Sequence, residues 1–200
     1  MRQLCFSYPQ RELFAGWSAQ IGPGVTLVRG GDGCGKTTLL RLLAGELAAS
    51  AGQLQVNQAR LDEQPAAYRR QVCWIDPYTE EFEQMTTVDY FKSLQGRHPD
   101  FDEQILASLI EGLALQAHLE KYLYMLSTGS RRKVWLAAAF ASGAAVTLID
   151  EPFAALDKTS AGYVLELLRR AAQQPARAWV LADYAAPKDV ALAATIDLGE

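Results

Sequence analysis

Cysteine is scarce in this sequence. Cys5, Cys34 and Cys73 are the only three, an odd number at wide spacing, which argues against a disulfide framework and against a zinc site. Histidine is scarcer still, with His98 and His118 alone. No apolar run reaches the roughly 18 residues of a membrane span, so work at a membrane would need spans from another chain. Basic charge is not in excess: 19 Lys and Arg face 23 Asp and Glu, for a formal net charge of −4. That balance lacks the basic footprint of a broad nucleic-acid binder. Met1 to Gln10 holds no charged segment followed by an apolar stretch, so no secretory signal is expected. Internal repeats, low-complexity tracts and long linkers are missing as well. The expectation is a cytosolic, reduced protein.

What is present suits a folded chain. There are 200 residues, 50% of them hydrophobic and 21% charged. That length fits one domain, or one domain with a small lobe, and is enough to bury a core. Short β-branched runs alternate with helical patterns. Val25-Thr26-Leu27-Val28 reads as a buried strand, and Lys36 to Leu47 as a helix with Leu39, Leu40, Leu43 and Leu47 on one side. Gln53 to Val56 and Val72 to Asp76 are further strand candidates. Asp100 to Gln116 predicts an amphipathic helix, with Phe101, Ile105, Leu109 and Leu113 four apart and Asp100 as its cap. Ser130 to Ala141 and Lys158 to Ala172 predict helices; Val146 to Ile149 and Trp179 to Ala182 predict strands. Such alternation implies a mainly parallel sheet covered on both faces. Thr87 to Leu126 lacks strand runs and predicts a helical lobe inserted into the α/β core. A last strand is expected just before Glu200, leaving no room for a further C-terminal domain.

Gly30-Gly31-Asp32-Gly33-Cys34-Gly35-Lys36-Thr37 fits G-x-x-x-x-G-K-[ST] between a strand and a helix. Gly30, Gly33 and Gly35 let successive backbone N–H groups curl around a phosphate. The helix start adds its dipole toward the same anion. Lys36 would reach the β- and γ-phosphates, Thr37 would place its hydroxyl on Mg²⁺, and Thr38 follows in the same nucleotide-binding turn. An ordinary glycine turn is the plain alternative. Cys34 stands inside this loop, where oxidation would block binding if the thiol were reactive. Val146 to Glu151 is a hydrophobic strand ending in two acids. Phosphoryl transfer needs a carboxylate near Mg²⁺ and a group that orients or deprotonates the attacking water. Asp150 suits the metal and Glu151 the general base; a solvated acidic turn is the alternative.

Between these motifs stands Leu126-Ser127-Thr128-Gly129-Ser130, directly before a helix, and after them Ala155-Leu156-Asp157. Order and spacing resemble the nucleotide-binding subunit of ATP-binding-cassette (ABC) transporters, from Tyr8 to beyond Asp183. The length, and Trp74-Ile75 before the loop joining core to lobe, resemble the short single-cassette bacterial subunits, including those linked to cytochrome c maturation. The resemblance implies a P-loop NTPase core with an N-terminal β portion, residues 1–84 and 127–200, and a helical lobe at about 85–126. It implies ATP and Mg²⁺ as ligands, with Lys36 and Glu151 catalytic and Thr37 and Asp150 on the metal. Tyr8 matches the aromatic that stacks on adenine, a role suited to a flat π face; a tyrosine at a strand end is the alternative. Ser127 and Gly129 match the signature motif that closes over the γ-phosphate of an opposite cassette, although Thr128 and Ser130 depart from the usual residues. Asp157 matches the loop connecting the two sites. The implied partners are a second cassette, identical or paralogous, and a transmembrane permease. The chain would then be peripheral on the inner face of the cell membrane, with no nucleic-acid partner.

Two positions depart from the family pattern. Asp183 takes the place of the switch histidine at the end of a late strand, and a carboxylate there adds like charge where the transition state needs donors. Tyr184 can donate a hydrogen bond there if the register shifts by one residue. No glutamine occurs from Val72 to Phe82, where the family has one; Tyr78 falls near its place beside Asp76 and Pro77, and Gln84 lies too late. The expectation is competent ATP binding with slow turnover, one missing group costing ~10²-fold in rate, roughly 2.7–4 kcal/mol. A nucleotide-gated regulatory subunit with little hydrolysis is the second possibility, and a nucleic-acid-associated ABC ATPase a third. Glu80, Glu81 and Glu83 form an acidic segment facing either a basic loop of the permease or solvent. Arg131, Arg132 and Lys133 read as a solvated helix face, with support of the anion seat as the alternative.

Overall fold

The computed structural model describes residues 1–199. Its centre is a five-stranded parallel sheet of β3 (Gly24–Arg29), β7 (Val72–Trp74), β8 (Val146–Asp150), β9 (Ala178–Ala182) and β10 (Leu192–Asp197). The order across it is β10-β3-β9-β8-β7. Every residue of β9 is buried, as expected of a strand covered on both faces. Successive side chains leave opposite faces. Ile149, Trp179 and Leu181 join one apolar cluster, while Leu148, Val180 and Ala182 join the other. The fold is the α/β type implied above.

On the second of those faces lies α1 (Lys36–Ala44), together with an antiparallel sheet of β1 (Arg2–Tyr8), β2 (Arg11–Trp17) and β4 (Ala51–Gln53). Leu4 and Phe14 from that sheet pack with Leu39, Leu40 and Leu42 of the helix. The helix ends at Ala44, three residues short of the predicted Leu47. Gly45 adopts a left-handed conformation, and the N–H groups of Gly45 and Glu46 close onto Leu42 and Arg41. The predicted strand Gln53 to Val56 is divided. Gln53 ends β4, and Gln55–Val56 (β5) turns back on Ala59–Arg60 (β6) through a left-handed Asn57. A short helix, α2 (Pro65–Arg70), begins with proline at its first turn. Its buried Tyr68 hydroxyl donates to the Leu43 carbonyl at 2.7 Å.

The other face carries α3 (Thr87–Arg97), α4 (Glu103–Gly112), α5 (Thr128–Ala141) and α6 (Lys158–Ala171). Two 3₁₀ turns, Gln116–His118 and Leu123–Met125, link α4 to α5. The cap of α4 is Asp102, not Asp100: its carboxylate accepts the N–H groups of Gln104 and Ile105 at 2.8 and 2.9 Å. The helix stops at Gly112, and a left-handed Ala114 turns the chain so that Leu113 and Leu115 are both buried. Residues 87–126 contain no named strand. Tyr90, Leu94, Leu109 and Leu123 share one apolar cluster with Trp135 of α5 and Trp179 of β9. Tyr90 meets Trp135 edge-on, with ring centroids 4.8 Å apart. His98 is buried at the end of α3, 3.3 Å from the Arg70 carbonyl, and burial lowers its pKa.

Candidate functional site

Sheet register brings three chain turns together. Val28 pairs with Ala182, and Ala182 with Asp150. The glycine loop after β3, Asp150-Glu151 at the end of β8 and Asp183-Tyr184 after β9 therefore leave the sheet at one edge. This is the carboxyl end of the strands, where open parallel sheets bind ligands.

The glycine loop is formed. Gly33 and Gly35 have φ +70° and +109°, values that favour glycine. Gly31 N–H donates to the Gly199 carbonyl at 3.0 Å, which ties the loop to the chain beyond β10. Beside it, Arg29 and Asp197 pair at 2.7 Å. Lys36 is 9% exposed and donates from Nζ to the Gly30 and Gly31 carbonyls, both at 2.8 Å. Among the described residues, no carboxylate lies within 4.0 Å of that ammonium. It is folded onto its own loop and is free to turn to an incoming anion. Cys34 is buried under the loop.

Thr37 and Asp150 meet directly. Thr37 Oγ1 donates to Asp150 Oδ2 at 2.6 Å, although 113 residues separate them. Asp150 is buried, and desolvation raises its pKa, with the Thr37 hydrogen bond opposing. A hydroxyl and a desolvated carboxylate at one point are hard oxygen donors of the kind Mg²⁺ takes. A cation there would relieve the cost of burying the charge.

Glu151 follows in a left-handed conformation at φ +46°, a strained placement for a residue with a Cβ. Its backbone is held on both sides. The N–H donates to the Ala182 carbonyl at 2.8 Å, and the carbonyl accepts from Arg132. Arg132 Nη2 also donates to the Asp150 carbonyl at 2.6 Å. Among the described residues, nothing hydrogen-bonds the Glu151 carboxylate. That leaves it available to accept a proton.

Arg132 corrects one expectation, since it is 8% exposed and not on a solvated face. Its neighbours are engaged too. Arg131 pairs with Glu83 at 2.9 Å, and Lys133 with Asp157 at 2.7 Å. Successive helix residues point 100° apart, so three consecutive cations cannot share one face. That periodicity was the signal available in the sequence.

Ser127 caps α5 and accepts the Ser130 N–H at 3.1 Å. Gly129 passes under the loop after β8, where a Cβ would lie 2.6 Å from the Ala155 carbonyl oxygen. Asp157 caps α6 through Ser160. The Lys133 hydrogen bond, aided by Ser160, holds its carboxyl well below the usual range. Among the described residues, no hydrogen bond joins Ser127 or Gly129 to the glycine loop. Tyr8, at the end of β1, is 43% exposed; its hydroxyl lies 3.3 Å from Thr38 Oγ1, and its ring meets Phe6 edge-on.

Asp183 is half-buried, and desolvation raises its pKa, with Lys36 and Arg132 among the groups that oppose. Its carboxylate accepts the N–H of Tyr184 at 2.7 Å. The Tyr184 ring lies over Lys36, with Nζ 4.5 Å from the centroid, and its hydroxyl donates to Asp32 Oδ1. Tyr78, near the missing glutamine, is exposed and shares a cleft of about 430 Å³ with Pro77, Glu80, Thr128, Arg131 and Ala155.

The pattern of the family described as "ABC transporter" matches residues 16–154. A cytochrome c biogenesis ATP-binding export protein, CcmA, from Pseudomonas syringae pv. syringae (strain B728a) is 34% identical over 151 residues. That match covers 74% of this chain and 70% of the relative. A petrobactin import ATP-binding protein, FpuD, from Bacillus anthracis is 30% identical over 178 residues, covering 84% of this chain and 64% of the relative. Among solved structures, one described as the ATP binding subunit of an ABC transporter superposes with a TM-score of 0.80 at 22% identity. It covers 90% of this chain and 77% of that one, a likeness of fold. No helix among the described residues is long and apolar enough to cross a membrane. Motif, sheet edge and relatives agree: the chain belongs to the ABC transporter family, in its class of ATP-binding and ATP-hydrolysing subunits.

Proposed function

We propose that this chain binds ATP with Mg²⁺ in the loop after β3 and hydrolyses it slowly, as the cassette of a transporter whose spans lie in another protein. The observation that carries this is the 2.6 Å bond between Thr37 and Asp150, which unites the phosphate loop with the acidic strand end. Lys36 exchanges its loop carbonyls for the β- and γ-phosphates. Gly30, Gly33 and Gly35 leave room for the backbone to approach them, and Tyr8 and Thr38 border the nucleoside side. Thr37 and Asp150 would hold Mg²⁺, which when bound supplies neutralising charge for the transferred phosphoryl group. Glu151 takes the proton of the attacking water, with its carboxylate positioned by a backbone pinned to Ala182 and Arg132.

Ser127 and Gly129 serve a second cassette in head-to-tail closure. The α5 start, which offers a hydroxyl and a helix N-terminus to an anion, supports that role. Differential binding of ATP to the closed state drives the motion. The acidic segment around Glu80 meets a basic cytoplasmic segment of the permease, with the chain then peripheral on the inner membrane face. One named relative serves export and another import; for this chain, the permease sets cargo and direction.

Single-turnover hydrolysis of ATP with Mg²⁺, beside a Glu151→Gln variant, tests the proposal. The expected result is slow cleavage that falls at least about 10²-fold in the variant while ATP stays bound. Equal, negligible cleavage in both would favour a nucleotide-gated regulatory subunit. The carboxylate of Asp183 where a donor is expected is the observation on that side.

A further inference from the structure

Tyr184 belongs to neither acidic motif, and the sheet places it at the phosphate edge. The turn after β9 explains its direction. Asp183 folds its carboxylate onto the backbone N–H groups of Tyr184 and Ala185. An aspartate bonding to the backbone just ahead of it is an ordinary turn former. The turn sends the next side chain across to the glycine loop. Tyr184 is 54% exposed, so core packing does not hold it. Its side chain instead lays the ring over Lys36 Nζ and places the hydroxyl on Asp32 Oδ1.

Both contacts lie where a terminal phosphate must come. Lys36 marks the anion seat, with no carboxylate of its own in reach. Asp32 is an exposed acid within the loop itself. A triphosphate entering the seat brings several negative charges beside the Asp32 carboxylate, and like charges at short range repel strongly. The tyrosine hydroxyl then has two competing anionic acceptors, of which the phosphate is already held by Lys36 and the loop N–H groups. Moving an O–H donor from a carboxylate oxygen to a phosphate oxygen keeps a charge-assisted hydrogen bond. The proton stays on the tyrosine oxygen throughout. A diphosphate offers no such acceptor, and the hydroxyl returns to Asp32.

We propose that Tyr184 is a terminal-phosphate ligand of this site, resting on Asp32 in the nucleotide-free chain and exchanging that carboxylate for the γ-phosphate of bound ATP. The missing donor at Asp183 is thus supplied by the next residue, and Asp32 is a resident stand-in for the phosphate. This rests on the ATP-binding function proposed above.

The test compares affinities for ATP and ADP, each with Mg²⁺, by calorimetry on the full chain carrying Glu151→Gln to prevent turnover. Tyr184→Phe keeps the ring over Lys36 and removes only the hydroxyl. It is expected to weaken ATP about 10-fold and to leave ADP within about 2-fold. In the Glu151 chain, the same change is expected to slow single-turnover cleavage by about 10- to 100-fold. Asp32→Asn, which weakens the resting acceptor and removes its charge, is expected to tighten ATP more than ADP. Unchanged or tighter ATP binding by Tyr184→Phe overturns the proposal, because a residue that merely covers the seat would give that result. If the chain with Tyr184 intact fails to bind ATP at all, the proposed function falls with it. If it binds and Tyr184→Phe matches it, this inference alone falls.

Discussion

β8 and β9 run side by side, and each meets an acid at its carboxyl end. At β8 the acid, Asp150, is the last strand residue; it is buried and reaches across to Thr37. At β9 the acid, Asp183, stands one place beyond the strand and bends back onto its own chain. The residue after each also differs. Glu151 is left-handed and pinned through its backbone, with a free carboxylate. Tyr184 is exposed and committed through its side chain to Asp32 and Lys36. Two neighbouring strand ends of similar sequence therefore do opposite things. In the function proposed here, one end uses its acid for chemistry and its next residue as base; the other uses its acid to shape a turn and its next residue to reach the ligand. Where the carboxylate finds its hydrogen bonds decides the outcome, more than its place in the sheet.

Substitutions can break this contrast. Asp150→Asn should have the largest effect, because it removes the charge that faces Thr37. We expect single-turnover hydrolysis to fall by about 10²- to 10³-fold, with a fold intact by circular dichroism. Arg132→Met acts on the same strand end from behind. It leaves the Asp150 and Glu151 carbonyls without their donor and should cost about 2–3 kcal/mol of stability, read as a Tm lower by about 5–10 °C. Asp183→Asn sharpens the contrast by a smaller step, since an amide oxygen accepts the same backbone N–H groups without charge. Burial raises the Asp183 pKa, so this acid favours the fold when protonated and loses that advantage as pH rises through its folded value. The asparagine variant should therefore melt about 1–2 °C higher at pH 7. The gap should close as pH falls through the usual carboxylate range near 4. A gap independent of pH would assign the effect to shape.

The phosphate loop and β8 were legible because their physics is local. A strand, a run of glycines and a lysine at a helix start specify one anion seat, and a β-branched run ending in two acids specifies one edge. Residues 53–56 misled because alternation continues across a turn that only Asn57 reveals. Two aspartates precede α4, and either can cap a helix; the identity of the cap depends on where the chain enters from His98. The helix Pro65–Arg70 is too short to show a period. Tyr184 was partly visible, since it follows the acid that replaces a histidine, but its contacts depend on a turn that Asp183 forms with backbone groups. Arg132 was separable in the sequence, because helical geometry alone sets it apart from Arg131 and Lys133.

The tie between Gly31 and Gly199 bears on when the protein becomes competent, as well as on how it works. The glycine loop after β3 is braced by backbone made 168 residues after Gly31. The Arg29–Asp197 pair beside it spans 168 residues of sequence. Closing so long a loop is entropically costly and slow relative to local helix formation. On a ribosome, α1 and most of the sheet can assemble before β10 emerges, yet the rim of the nucleotide seat waits for that strand. The edge of β3 stays unpaired in the interval, a surface other chains can add to. Released chains that stop before residue 192 should hold nucleotide poorly, and those that extend through residue 199 should hold it well.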